Sequence, residues 1–457
     1  MPKKRQNREV KLPVLRPDAA GVDIGAEEIF VAVPADQDSE PVRRFATFTA
    51  DLNALADWLT KCGIRTVAME STGVYWIPLH QILEGRGFEV YLVNAQYVRN
   101  VPGRKSDVSD CQWIQYLHSV GLLRASFRPP AEICAIRSLW RHRESLIQMA
   151  SQHTLHIQKA LDQMNLQIHQ VLSEITGWSG LRILDAILAG DRNPVALAKL
   201  CNWRVRTSRD IVAKALEGDY RPEHVFTLRQ SLAGYRYYQN LIAELDEEIN
   251  KYLRDLPKAS EAKASPPPRT KTRVYQKQHN DPAFDLRGEL YRIVGVDLTD
   301  IPGINAVTAH TIISEIGTDV SRFRNASAFA SWLGLCPEKQ VSGGKVLYTK
   351  TRPVKNRVAN ALRMGAHSLH HANNYLGEFL RQMRRKLGAA EAVTAAAHKL
   401  ARILYHVLRT KEACNESVFL RHDREAIKRA EERLRKQAAK LGFQLAPSRN
   451  MKVRHSL

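Results

Sequence analysis

Five side chains of this chain have the type and setting needed for chemistry on a phosphodiester. Asp23 interrupts the apolar run Gly21-Val-Asp-Ile-Gly25, and Glu70 closes another in Met69-Glu-Ser-Thr-Gly73. An acid in an apolar strand is costly if it is buried unpaired, so its presence asks for a partner. Asp107 and Asp110 stand three apart in Lys105-Ser-Asp-Val-Ser-Asp110. Ser106 is a candidate N-cap there, and the spacing puts both acids on one helix face. If strands and helix brought the four carboxylates together, one or two Mg²⁺ could bind. Paired metals stabilise the attacking and leaving oxygens of a phosphodiester. Each acid also has a plainer reading. Asp23 could be a turn residue, and Asp107 and Asp110 could complement a helix N-terminus. The fifth residue is Ser342, which precedes Gly343, Gly344 and Lys345. Two glycines predict a flexible loop where the backbone can approach a ligand closely. The hydroxyl is a turn residue or a nucleophile, and as a nucleophile it needs a base or metal. His310, or the cluster His367, His370 and His371, are the candidate bases. His367 and His371, at i,i+4, could also hold a metal, or form a helix face beside phosphate.

Basic residues follow the serine with no acid between them: Lys345, Lys350, Arg352, Lys355 and Arg357. They are candidates for holding a phosphate backbone, as are Arg104 and Lys105 beside the paired acids. Gly303, in Ile301-Pro-Gly-Ile304 ahead of an Ala/Ile-rich run, sits in a turn that resembles a helix-hairpin-helix. Backbone N–H groups at such a helix start can hold a phosphate. Asn305 stands where a second glycine is usual, and a plain helix cap explains the turn as well.

These residues need elements to position them. Residues 19–124 read as an α/β unit with strands near 20–24, 29–33, 44–49, 66–70 and 89–93. Helices are expected at 52–59, 75–84 and about 107–120. Three antiparallel strands followed by strand–helix alternation is the order of an RNase H-like (RuvC-like) sheet, in which the first and fourth strands are neighbours. Residues 125–256 read as a helical insert whose apolar residues recur in threes and fours over 132–175 and 225–253. That pattern predicts long amphipathic helices in a coiled coil, paired with themselves or with another subunit. Residues 257–288, with Pro266-Pro267-Pro268, read as a stiff, basic linker. Residues 289–412 form a mostly helical C-terminal domain. Residues 1–18 form a basic arm, and 413–457 a charged helix and tail. The fold class is multidomain, α/β plus α.

Composition narrows the function classes. The chain has 457 residues, 68 Lys and Arg against 47 Asp and Glu, and a net charge of +21. The excess lies in three stretches: +5 over 1–16, +9 over 342–386 and +7 over 421–457. A polyanion is the expected partner, nucleic acid first among them. The hydrophobic share of 44% excludes a wholly disordered polycation. No stretch of 18 or more apolar residues offers a membrane span. The six cysteines form no Cys-x-x-Cys pair, which argues against structural zinc and for reduced thiols in a cytoplasmic protein.

Together, Gly21-Val-Asp23-Ile-Gly, Met69-Glu70-Ser-Thr-Gly and Lys105-Ser-Asp107-Val-Ser-Asp110 resemble the DEDD tetrad of the IS110 group of bacterial insertion-sequence transposases. Ile301-Pro-Gly-Ile and Gly334-Leu-Cys-Pro followed by Ser342-Gly-Gly-Lys are similar to that group's C-terminal transposase domain. The resemblance covers roughly residues 18–410. It implies a RuvC-like domain with Asp23, Glu70, Asp107 and Asp110 as ligands of Mg²⁺, two ions per site. It implies Ser342 as the nucleophile of a recombinase that excises and inserts its own element. A bridge RNA pairing with donor and target DNA is implied too, as is a dimer of dimers with active sites shared between subunits. Two other readings compete. One is a metal-dependent nuclease such as a Holliday-junction resolvase, using the tetrad and water. The other is a non-catalytic nucleic-acid-binding protein whose acids are caps.

Overall fold

The computed structural model describes residues 12–71, 73–94, 110–260, 262, 265–268, 280–415, 431–432, 434–440 and 442–443. The chain divides into two units, Met1–Arg128 and Pro129–Leu457.

The first unit is built on a five-stranded sheet: β1 (Ala19–Ile24), β2 (Glu28–Ala32), β3 (Val42–Ala46), β4 (Thr66–Glu70) and β5 (Glu89–Val93). Its order is β3-β2-β1-β4-β5. The β1–β2 and β2–β3 pairs are antiparallel, whereas β1–β4 and β4–β5 are parallel. The first and fourth strands are therefore neighbours, the juxtaposition the sequence reading requires. One face carries α1 (Thr49–Lys61) and α2 (Trp76–Gly85) over Val22, Val31, Val67 and Met69. Leu52, Leu55, Ala56 and Leu59 give α1 its buried stripe at helical spacing. The other face carries α3 (Asp110–Ser119), whose Ile114 and Leu117 pack with Ala68 and Val93.

Two expectations shift. The third strand covers 42–46 rather than 44–49, because its pairing with β2 ends at Glu28 opposite Ala46. The N-terminal arm is anchored at Leu15 and Arg16. Leu15 and Arg16 donate backbone N–H groups to the Ser119 carbonyl, and Arg16 reaches His118 and the Tyr91 hydroxyl.

The second unit is organised by α4 (Ala131–Gln163) and α9 (Pro222–Asp255), which run antiparallel: Arg143 meets Asp246, and His153 lies over Gly234. The expected 132–175 helix is really α4 followed by a break at Asn165, in the left-handed region at φ 56°, and the short α5 (Ile168–Val171). Ile168, Leu172 and Ile175 continue the apolar pattern because they fold back into the same core as Leu161 and Leu228. Three further short helices, α6 (Trp178–Leu188), α7 (Pro194–Lys199) and α8 (Arg209–Lys214), close over the end of the pair. The pairing partner is thus supplied within the chain.

The C-terminal helices are α10 (Leu286–Val294), α11 (Ala306–Ile316), α12 (Ala326–Trp332), α13 (Arg357–Ser368), α14 (Tyr375–Leu387) and α15 (Ala389–Thr410). They join α4 through Trp140, whose Nε1 donates to Thr311 Oγ1 at 3.0 Å, and through Arg141, which forks onto Glu315. The described parts of the 257–288 linker are tied down rather than free. Ala259 N–H donates to the Arg292 carbonyl, Arg287 holds the Pro267 carbonyl, and Ala283 N–H caps Asp246.

Candidate functional site

Helix α3 decides where the acids of the first unit meet. A Cβ on Gly21 would fall 2.2 Å from the Gln115 nitrogen and 2.3 Å from the Cys111 carbonyl oxygen. Only glycine lets the helix backbone lie this close to β1. Gly21 pairs with Ala68 across the strands, and both face α3. Side chains alternate faces along a strand, so Asp23 and Glu70, two residues on, point to that same face.

The helix runs antiparallel to β1. Gln115 Nε2 donates to the Ala19 carbonyl at 3.2 Å, and His118 Nε2 meets the hydroxyl of Thr66, the first residue of β4, at 2.8 Å. Its other end, Asp110, therefore lies toward the strand ends that carry Asp23 and Glu70. All three acids are half-buried. Asp107, Arg104 and Lys105 lie outside the described residues. Among the described residues no three Asp, Glu, His or Cys side chains form a metal-sized group. Asp23, Glu70 and Asp110 are carboxylates, the donor type suited to a hard divalent cation. Gly21 was missed as a positioning residue, although a glycine inside a strand is the ordinary signal of a close backbone approach.

Ser342 is not on a loop. It ends β6 (Pro337–Ser342), paired antiparallel with β7 (Lys345–Thr351), and it stands opposite Lys345. Gly343 and Gly344 have φ of 56° and 77°. Positive φ at both central residues makes a two-residue hairpin turn, which glycine supplies without strain. Ser342 is exposed, as are Lys345, Lys350 and Lys355.

The other basic candidates are engaged within the protein. Arg357 pairs with Glu144 and lies 4.0 Å from Glu315, and Arg352 donates to the Ser331 carbonyl. Gly303, at φ 86°, faces the Gly365 carbonyl of α13. Asn305 caps α11 by accepting the Thr308 N–H at 2.8 Å, so that N–H is not open to a phosphate.

The histidine candidates fare differently. His310 is buried against Trp140, ring centroids 4.1 Å apart, and burial together with the Arg143 guanidinium pulls its pKa down to about 3. It is a neutral core residue, not a base for an exposed serine. His367 lies in the last turn of α13, which ends at Ser368, whereas His370 and His371 belong to a 3₁₀ turn, so the i,i+4 pair does not share one α-helix. His370 contacts Arg384; desolvation first, then that guanidinium, lowers its pKa. Arg381, Arg384 and Arg385 line a shallow cavity on α14 with Glu378, a concentration the sequence showed only as the end of a basic run.

Comparison with known proteins supplies two family matches and one relative. A model described as Transposase, of the DEDD type in IS110 elements, matches residues 20–166 and so spans the four acids. A model described as Transposase IS116/IS110/IS902 family matches residues 297–381 and spans Ser342. A curated protein of Sinorhizobium fredii, named "Putative transposase y4pF/y4sB", is 31% identical over 130 residues, 26% of this chain and 32% of that protein. The match thus spans about a third of the relative's length.

Proposed function

We propose, from the premise that this chain belongs to the IS116/IS110/IS902 transposase family, that it cuts and rejoins DNA strands to move an insertion sequence. The observation that supports this reading is that Asp23, Glu70 and Asp110 lie toward the same end of the β1–β4 pair, on the face covered by α3.

In this reading Asp23, Glu70, Asp107 and Asp110 hold Mg²⁺, two ions per site, and the metal supplies charge stabilisation at the scissile phosphate. Ser342 Oγ attacks phosphorus, forming a serine–phosphate ester as the bond to a deoxyribose oxygen breaks and that oxygen takes a proton. Rejoining reverses the exchange on a second strand. Exposure of Ser342 at the hairpin tip suits a nucleophile delivered to DNA. Lys345, Lys350 and Lys355 provide positive charge beside the phosphate backbone. A bridge RNA as guide, a dimer of dimers with shared sites, and cytoplasmic action complete the proposal. No described helix is long and apolar enough to cross a membrane.

The test is strand cleavage of element-end DNA with and without Mg²⁺. Asp23→Asn and Glu70→Gln should each lower cleavage by at least about a hundredfold while leaving DNA binding intact. Full cleavage by both variants would remove the carboxylates from the chemistry.

The sealing of His310 favours a second reading, because it withdraws one candidate base from Ser342. In that reading the carboxylate site uses water and no covalent intermediate forms.

A further inference from the structure

The cap over the α4–α9 pair presents two tryptophans to solvent. Trp203 is 82% exposed and Trp178 is 56% exposed. One exposed ring is ordinary, but two on joined segments, each beside a cation, make a candidate contact surface. The segments that carry them are joined: Ser179, next to Trp178, accepts the backbone N–H of Asn202, next to Trp203, at 2.9 Å. The loop around Trp203 is pinned. Arg209 Nη2 donates to the Cys201 and Asn202 carbonyls at 2.8 and 3.0 Å, and Asn202 Oδ1 accepts the Arg204 N–H at 3.0 Å. Each ring carries a guanidinium. Arg204 lies 5.3 Å from the Trp203 centroid and Arg182 lies 4.6 Å from that of Trp178. Among the described residues no carboxylate is paired with Arg182, Arg204 or Arg206, whereas nearby Asp185 is taken by Arg236.

We propose that the exposed rings of Trp178 and Trp203 stack the unpaired bases of a nucleic-acid strand, with Arg182 and Arg204 holding its phosphates. Every base has a π-face, and aromatic rings set among cations are how proteins grip single strands without reading sequence. The cations beside both rings, with no carboxylate paired to them among the described residues, favour a polyanion as the occupant. The inference goes beyond the catalytic reading and needs neither the carboxylates nor Ser342.

The test uses the full chain and labelled unstructured strands, oligouridylate and oligothymidylate, with an abasic deoxyribose-phosphate strand as control. It is run at salt high enough to weaken backbone attraction. Trp203→Ala should weaken binding of at least one base-bearing strand by about five- to a hundredfold. Trp203→Phe should restore most of it, and abasic binding should not change. Because the ring is exposed, an unchanged melting temperature checks the fold. Equal binding of both base-bearing strands by wild type and Trp203→Ala would overturn the proposal. So would a loss of self-association in Trp203→Ala with strand binding intact, which would make this surface a contact between copies.

Discussion

His118 is enclosed at the C-terminal end of α3, with Arg16 donating to its Nδ1 at 3.1 Å and the Thr66 hydroxyl at its Nε2. Burial, then the Arg16 charge, lowers its pKa to about 4, while Asp18 pulls weakly the other way. The folded first unit thus holds a neutral imidazole that the unfolded chain would protonate near 6.5. The unfolded state binds the extra proton, so stability is full above about pH 6.5 and falls as pH drops toward 4, by on the order of 3 kcal/mol. His118→Gln should flatten that part of a denaturation-versus-pH curve; an unchanged slope would remove His118 as its source. At this scale the sequence was most legible for Asp23 and Glu70, because an acid in an apolar run is conspicuous. It was least legible for His310 and Arg357. Their roles depend on Trp140, Arg143 and Glu144, more than a hundred residues away in the chain.

Two elements carry the architecture. The first is α3, seated on Gly21. Gly21→Ala must push its Cβ into helix backbone, so it should cost at least about 2 kcal/mol and displace Asp110 from Asp23 and Glu70. Urea unfolding read beside Mg²⁺-dependent cleavage checks both effects, and a stable, active variant would contradict the seating. The second is the antiparallel pair α4–α9, crossed by a buried ion pair. Arg143 is 2% exposed, with Nη2 3.2 Å from Asp246 Oδ2. Arg143→Met should cost about 3–5 kcal/mol by stranding the carboxylate, whereas Arg143→Met with Asp246→Leu should recover most of that loss. Denaturant midpoints of the single and double variants decide it. Helix positions came through in the sequence because 3.6-residue periodicity is local. The break at Asn165 did not, because the residues beyond it keep an apolar rhythm while serving a different packing direction. The serine's hairpin was hidden for a related reason, since Gly343-Gly344 serves a flexible loop and a tight turn equally well.

At the scale of the whole chain the net charge is +21, most of it carried by residues 342–386 and 421–457. DNA affinity should therefore fall steeply and log-linearly with salt. A flat dependence would mean that backbone charge is not what holds the DNA. The proposed groups fall on separate units, the carboxylates on Met1–Arg128 and Ser342 on Pro129–Leu457, which in the proposed function would suit a reaction that proceeds only once both are assembled on DNA. The central claim is that Ser342 makes the bond to DNA and that the acids enable it. The direct measurement is denaturing electrophoresis of the chain after incubation with element-end DNA. An adduct that survives denaturation, requires Mg²⁺, and is absent in both Ser342→Ala and Asp23→Asn is the predicted result. An adduct persisting in Ser342→Ala, or efficient cutting by that variant with no adduct in wild type, would contradict it.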